Sequence, residues 1–112
     1  MPQLIKQTEY VRGLARELWN TAKEAHAAND YAKEEKYLLT PLNLGRLLNQ
    51  PQRMLIVRMT GMALQFRSLK SMLELYQATN KPEQAKAAQD ELDKVNQQGD
   101  EIKKVASGGS HK

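Results

Sequence analysis

The sequence predicts an all-α protein, an up-down antiparallel four-helix bundle with the second helix broken at Pro41. Three observations carry that reading. Ala, Leu, Lys, Glu, Gln and Met are abundant, and all are helix formers. Apolar residues recur at spacings of three or four through four successive stretches. Those stretches are parted by short Asn, Asp and Pro punctuation, and short connections favour antiparallel neighbours. A chain of 112 residues is one domain of ordinary size. The domain is expected over 1–106, with 107–112 as a flexible tail, because Ser107-Gly108-Gly109-Ser110 offers no apolar anchor.

The first helix is expected from about Leu4 to Ala28. Val11, Leu14, Leu18, Ala22, Ala25 and Ala28 share one face, bulky early and alanine-lined late. Asn29 and Asp30 make the turn, with Asp30 as N-cap of the second helix. That helix starts near Tyr31 and is interrupted at Pro41, since proline in a helix interior loses a hydrogen bond and clashes with the preceding turn. Thr40 is placed to cap a second piece carrying Leu42, Leu44, Leu47 and Leu48, so a kinked or two-piece helix is expected across 31–49.

The third helix, from Pro51 to about Thr79, carries a stripe of Leu55, Met59, Met62, Phe66, Leu69, Leu73 and Tyr76, expected to face the core. Val57, Leu64 and Leu75 lie on the opposite side. A helix that is apolar on two faces is central in its bundle or shared with a second subunit. Gly61 costs about 1 kcal/mol against alanine in mid-helix, which a close helix crossing would justify. The fourth helix begins at Pro82, with Glu83 suited to its dipole, and repeats Ala85, Ala88, Leu92, Val95, Gly99, Ile102 and Ala106. No repeat with a period of about 34 residues is present, which argues against a helical repeat array.

Charge is distributed unevenly. Residues 36–73 hold six cations (Lys36, Arg46, Arg53, Arg58, Arg67 and Lys70) and no carboxylate. Residues 1–35 and 74–112 each sum to −1, so the net +4 arises in the middle third. A one-signed basic stretch suits phosphates or acidic partners. It equally suits a layer neutralised inside the fold by carboxylates such as Glu17, Glu24, Asp90 and Asp93. Aromatic interleaving, which single-strand stacking needs, is nearly absent there.

Catalytic and metal chemistry find no support. Cysteine is absent, which removes disulfides, thiolate zinc sites and a cysteine nucleophile. His26 is the lone histidine outside the tail. The last helix has no histidine for a haem, and no Glu-x-x-His pair suits a di-iron site. Glu34-Glu35 and Asp90-Glu91 diverge by about 100° around a helix, so each reads as solvent-facing rather than as an acid–base dyad. Trp19 reads as a core or interface anchor. No cofactor, metal site or enzymatic activity is expected. No apolar run reaches membrane length and no secretory signal opens the chain, so a cytoplasmic protein is expected. The same features fit a mature periplasmic chain.

Two functions fit these residues. The favoured one is a non-catalytic helical interaction or assembly module. It would meet a protein partner or a second copy through Met54, Val57, Leu64, Met72 and Leu75. The alternative is a nucleic-acid-binding accessory protein contacting phosphates through Arg46, Arg53, Arg58, Arg67 and Lys70.

Overall fold

A computed structural model describes residues 2–105, with side chains from residue 6 onward. The expected tail, 107–112, and Ala106 lie outside those residues. Four helices account for the fold: α1 (Pro2–Ala27), α2 (Tyr31–Leu48), α3 (Leu55–Ala78) and α4 (Pro82–Lys103).

The two outer turns are built alike. Asn29 and Asn80 adopt left-handed φ values of 59° and 57°, a region asparagine tolerates. The Asp30 N–H then reaches back to the Ala25 carbonyl at 2.8 Å, and the Lys81 N–H to the Tyr76 carbonyl at 2.8 Å. Each turn is therefore a Schellman close that satisfies the last carbonyls of its helix. Asp30 caps α2 as expected, its side chain accepting from the Lys33 N–H at 3.2 Å. Helix α2 ends at Leu48 with Asn49 as its C-cap, and a turn in which the Arg53 N–H donates to the Gln50 carbonyl at 3.0 Å leads to α3.

The expected break at Pro41 is not found: α2 is continuous from Tyr31 to Leu48 with Pro41 inside it. Thr40 starts no new helix, and its hydroxyl donates to the Lys36 carbonyl at 3.3 Å. Pro41 is buried together with Leu38 and Leu42. Packing on that turn offsets the roughly 3 kcal/mol that an interior proline costs.

Helices α2 and α3 form the central pair. They approach so closely that a Cβ on Gly45 would lie 2.7 Å from the Gly61 carbonyl oxygen. The crossing expected from Gly61 is thus made, with Gly45 as its counterpart. Helix α1 packs against α2 and α3, and α4 packs against α3, but no Cα of α1 comes within 8 Å of one in α4. The helix packing is compact without that closing contact of a four-helix bundle. The shortest dimension, 19 Å, is the depth of two stacked helices. The core joins Ala22, Leu38, Leu42, Met62, Leu69, Met72, Leu75, Tyr76, Ala88, Leu92 and Val95.

Candidate interaction face

The buried side of α3 is not the side its apolar stripe marks. Gly61, Leu64, Gln65, Ser68, Met72 and Leu75 are buried. Three small or polar residues sit there because neighbouring helices demand them. Gly61 permits the α2 crossing. Ser68 accepts the Trp19 indole N–H at 2.9 Å, tying α1 to α3. Gln65 accepts from Asn49 Nδ2 at 2.7 Å and donates to Glu91 at 3.1 Å, joining α2, α3 and α4. Met62, Leu69 and Tyr76 lie at the edge of this buried arc.

Of the four remaining stripe residues, three are exposed and Leu73 packs against the core. Leu55 is 51% exposed, Met59 48% and Phe66 38%, while Leu73 is half-buried. Spacings of four, seven and seven hold these four on one helical face. Ile56 and Ala63 are exposed beside them. Leu55, Met59 and Phe66, expected in the core, are therefore surface residues. The nearby Met54 is 56% exposed.

The expected partner-binding residues divide accordingly. Leu64 is 1% exposed, and Met72 and Leu75 are buried with it inside the monomer. Those three are not a free surface, because the neighbouring helices bury them. Val57 is half-buried. Only Met54 among the five is exposed.

The five cations do not gather either. Arg46 makes a bidentate pair with Glu91, Nη2 to Oε1 at 2.6 Å and Nε to Oε2 at 2.9 Å. The Arg46 hydrogen bonds hold the Glu91 carboxyl below the usual carboxylate range, and the same contact raises the guanidinium. This is internal charge balance, made with Glu91 rather than with Glu17, Glu24, Asp90 or Asp93. Arg67 stacks on Trp19, 4.5 Å from the ring centre, and Lys70 lies 5.5 Å from the Phe66 centroid. Arg58 is half-buried with Nε unpartnered, and Arg53 is exposed in the α2–α3 connection.

Besides Glu91, two further carboxylates expected to face solvent are structural. Glu34 is buried and pairs with His26 Nδ1 at 3.0 Å, tying α1 to α2. Glu35 accepts the Tyr76 hydroxyl. Burial, then that hydrogen bond, raises the Tyr76 phenol far above its ordinary value. Among the described residues no group of three or more His, Asp or Glu is placed to hold a metal, and no helix is long and apolar enough to cross a membrane.

The outer face of α3 is flanked by two grooves, the one toward α4 lined also by Lys81 and Lys86. On the α1 side, Arg12, Arg16 and Lys23 lie seven and three residues before Trp19 and four after it, on the side of α1 turned to Arg67. Lys23, Arg67, Ser71 and Glu74 line one groove there. On the α4 side, Ala85 and Gln89 meet Leu73 in a second groove. Asp93, Asn96 and Asp100 continue that line along α4 and are exposed. No known protein family, curated protein or solved structure matches the chain.

Proposed function

We propose that this protein is a non-catalytic interaction or assembly module that binds through the outward face of α3. The observation that carries this reading is the row Leu55, Met59 and Phe66, left uncovered beside Ile56 and Met54. Singly exposed apolar residues are ordinary, but a continuous helical stripe of them is an unusual surface for a monomer to leave wet. Contact pairs support the up-down antiparallel order that presents this face. Glu35 meets Tyr76 at one end of α2 and Gly45 meets Gly61 at the other. His26 meets Glu34 across the first turn, and Gln65 meets Glu91 between α3 and α4.

The phosphate-binding alternative has less support. Arg46 is engaged by Glu91, Arg67 and Lys70 lie over aromatic rings, and Arg58 is half-buried. The discriminating experiment compares Met59→Gln with Phe66→Gln and Leu64→Gln by circular dichroism and sedimentation velocity. The first two should keep the wild-type melting temperature and lose association. Leu64→Gln should melt well below wild type. Association that survives both outer substitutions would refute the reading.

A further inference from the structure

Resting on that reading, we infer that the occupant of the α3 face is an acidic amphipathic helix of a partner protein. The same surface is both apolar and of one charge. The row Leu55, Met59 and Phe66 continues through Lys70, which lies 5.5 Å from the Phe66 ring centre. From Arg53 to Leu73 the chain holds four cations and no carboxylate. The grooves on either side add Lys23 toward α1, and Lys81 and Lys86 toward α4. Lys23, Arg53, Arg67, Lys70 and Lys81 have no carboxylate partner among the described residues. Arg67 and Lys70 lie over aromatic rings, which leaves their charge unneutralised. Lys86 holds Asp90 at 3.3 Å with both side chains exposed, a pair of small worth. Of the carboxylates lining the two grooves, Glu34 is committed to His26, and Glu74 stands at the far end of the row.

Charge and apolar surface together narrow the class of occupant. A phosphate backbone would satisfy the cations and leave the row wet. A second copy would bring a face of the same sign against this one. A bilayer would cover the row but has no ridges for the grooves beside it. A helix has such ridges. Its apolar residues, at spacings of three and four, would lie on Leu55, Met59 and Phe66, and its carboxylates would reach the cations along both edges. The exposed methionines Met54 and Met59 supply adaptable apolar contact. From Leu55 to Leu73 is about 27 Å of helix, so the matching segment is about 18 residues long.

The test uses the full-length protein and labelled peptides of about 18 residues. One carries leucines at spacings of three and four with glutamates between them. A second scrambles that composition, and a third keeps the leucines and replaces glutamate with lysine. By fluorescence anisotropy the first should bind in the micromolar range, at least about tenfold tighter than the others, and weaken as salt rises. Met59→Gln should weaken it on the order of tenfold, as should Arg53→Glu with Lys70→Glu, all at unchanged melting temperature. Glu74→Lys should tighten it. Equal binding of the scrambled peptide would overturn the inference, because charge alone would then suffice. So would preferential binding to phosphatidylserine vesicles, or no binding of the acidic peptide. Sedimentation velocity separates that last failure from failure of the underlying reading. Self-association that Met59→Gln abolishes would keep the outward face as an interface with a second copy as its occupant. A wild-type monomer that binds neither peptide nor vesicle would remove both.

Discussion

Replacing Gly61 with alanine should destabilise the protein, although alanine is the better helix former. Its Cβ would lie 2.6 Å from the Gly45 carbonyl oxygen and 2.7 Å from the Asn49 backbone nitrogen. Both are backbone atoms of α2 and its C-cap, so no side chain can swing away. Ordinary contact begins near 3.4 Å, so the two helices must part by several tenths of an ångström where they cross. That separation strips contacts from Leu38, Leu42, Leu69 and Met72 in a core packed to crystal-like density. Overpacking of this kind costs about 1–3 kcal/mol, at the upper end when backbone must move. The helix-propensity gain of about 1 kcal/mol offsets part of it. A net loss of about 2 kcal/mol lowers the melting temperature by roughly 8 °C in a domain of this size. Gly45→Ala should behave alike, its Cβ lying 2.7 Å from the Gly61 carbonyl oxygen. Gly13 and Gly99 are the controls: both are helical and have nothing within 4 Å, so alanine there should stabilise by up to about 1 kcal/mol. Thermal melts of the four variants decide the matter. Gly61→Ala melting at or above wild type would refute the close crossing.

Three further outcomes are expected. Leu64→Ala should cost about 2–5 kcal/mol in urea unfolding, whereas Leu55→Ala should stay within about 0.5 kcal/mol at concentrations where the chain is monomeric. Glu91 has a depressed carboxyl pKa, so its pairing adds stability above the unfolded value of about 4.3 and loses it as pH falls through the folded value. Arg46→Met should therefore lower stability near neutral pH and shallow its decline on acidification, read from urea midpoints at successive pH. Tyr76 has a raised phenol pKa, so its contribution is intact below about 10 and is lost as pH rises further. Tyr76→Phe should make the alkaline side of the stability profile flatter.

Much of the fold was legible because local chemistry and global packing agree. Asn29-Asp30 and Asn80-Lys81-Pro82 carry turn chemistry that the structure uses as written. Gly61 marks a close crossing, whereas Pro51, expected to open the third helix, lies in the connection before α3 begins at Leu55. Pro41 misled because a proline reads locally as a stop, while the burial that keeps α2 continuous is a tertiary effect. The interaction face misled for a related reason. Hydrophobicity alone assigns Leu55, Met59 and Phe66 to the core and small polar residues to the surface. Here Gly61 and Ser68 are inside because close approach and the Trp19 indole require them, and Gln65 is inside because Asn49 and Glu91 satisfy it. The signal was present in the line Gly61, Gln65, Ser68, Met72 and Leu75, at spacings of four, three, four and three. Recognising it needs the partner atoms, which sit on other helices. The same holds for Arg46 and Glu91, whose pairing across 45 residues no local spacing announces.

The most direct test of the central claim is photo-crosslinking from Met59 and, separately, from Leu64 in the full-length chain. Intermolecular adducts should form in high yield from Met59, and Leu64 should give only intramolecular products. Adducts from Leu64 with none from Met59 would contradict the outward face of α3 as the place where this protein meets its partner.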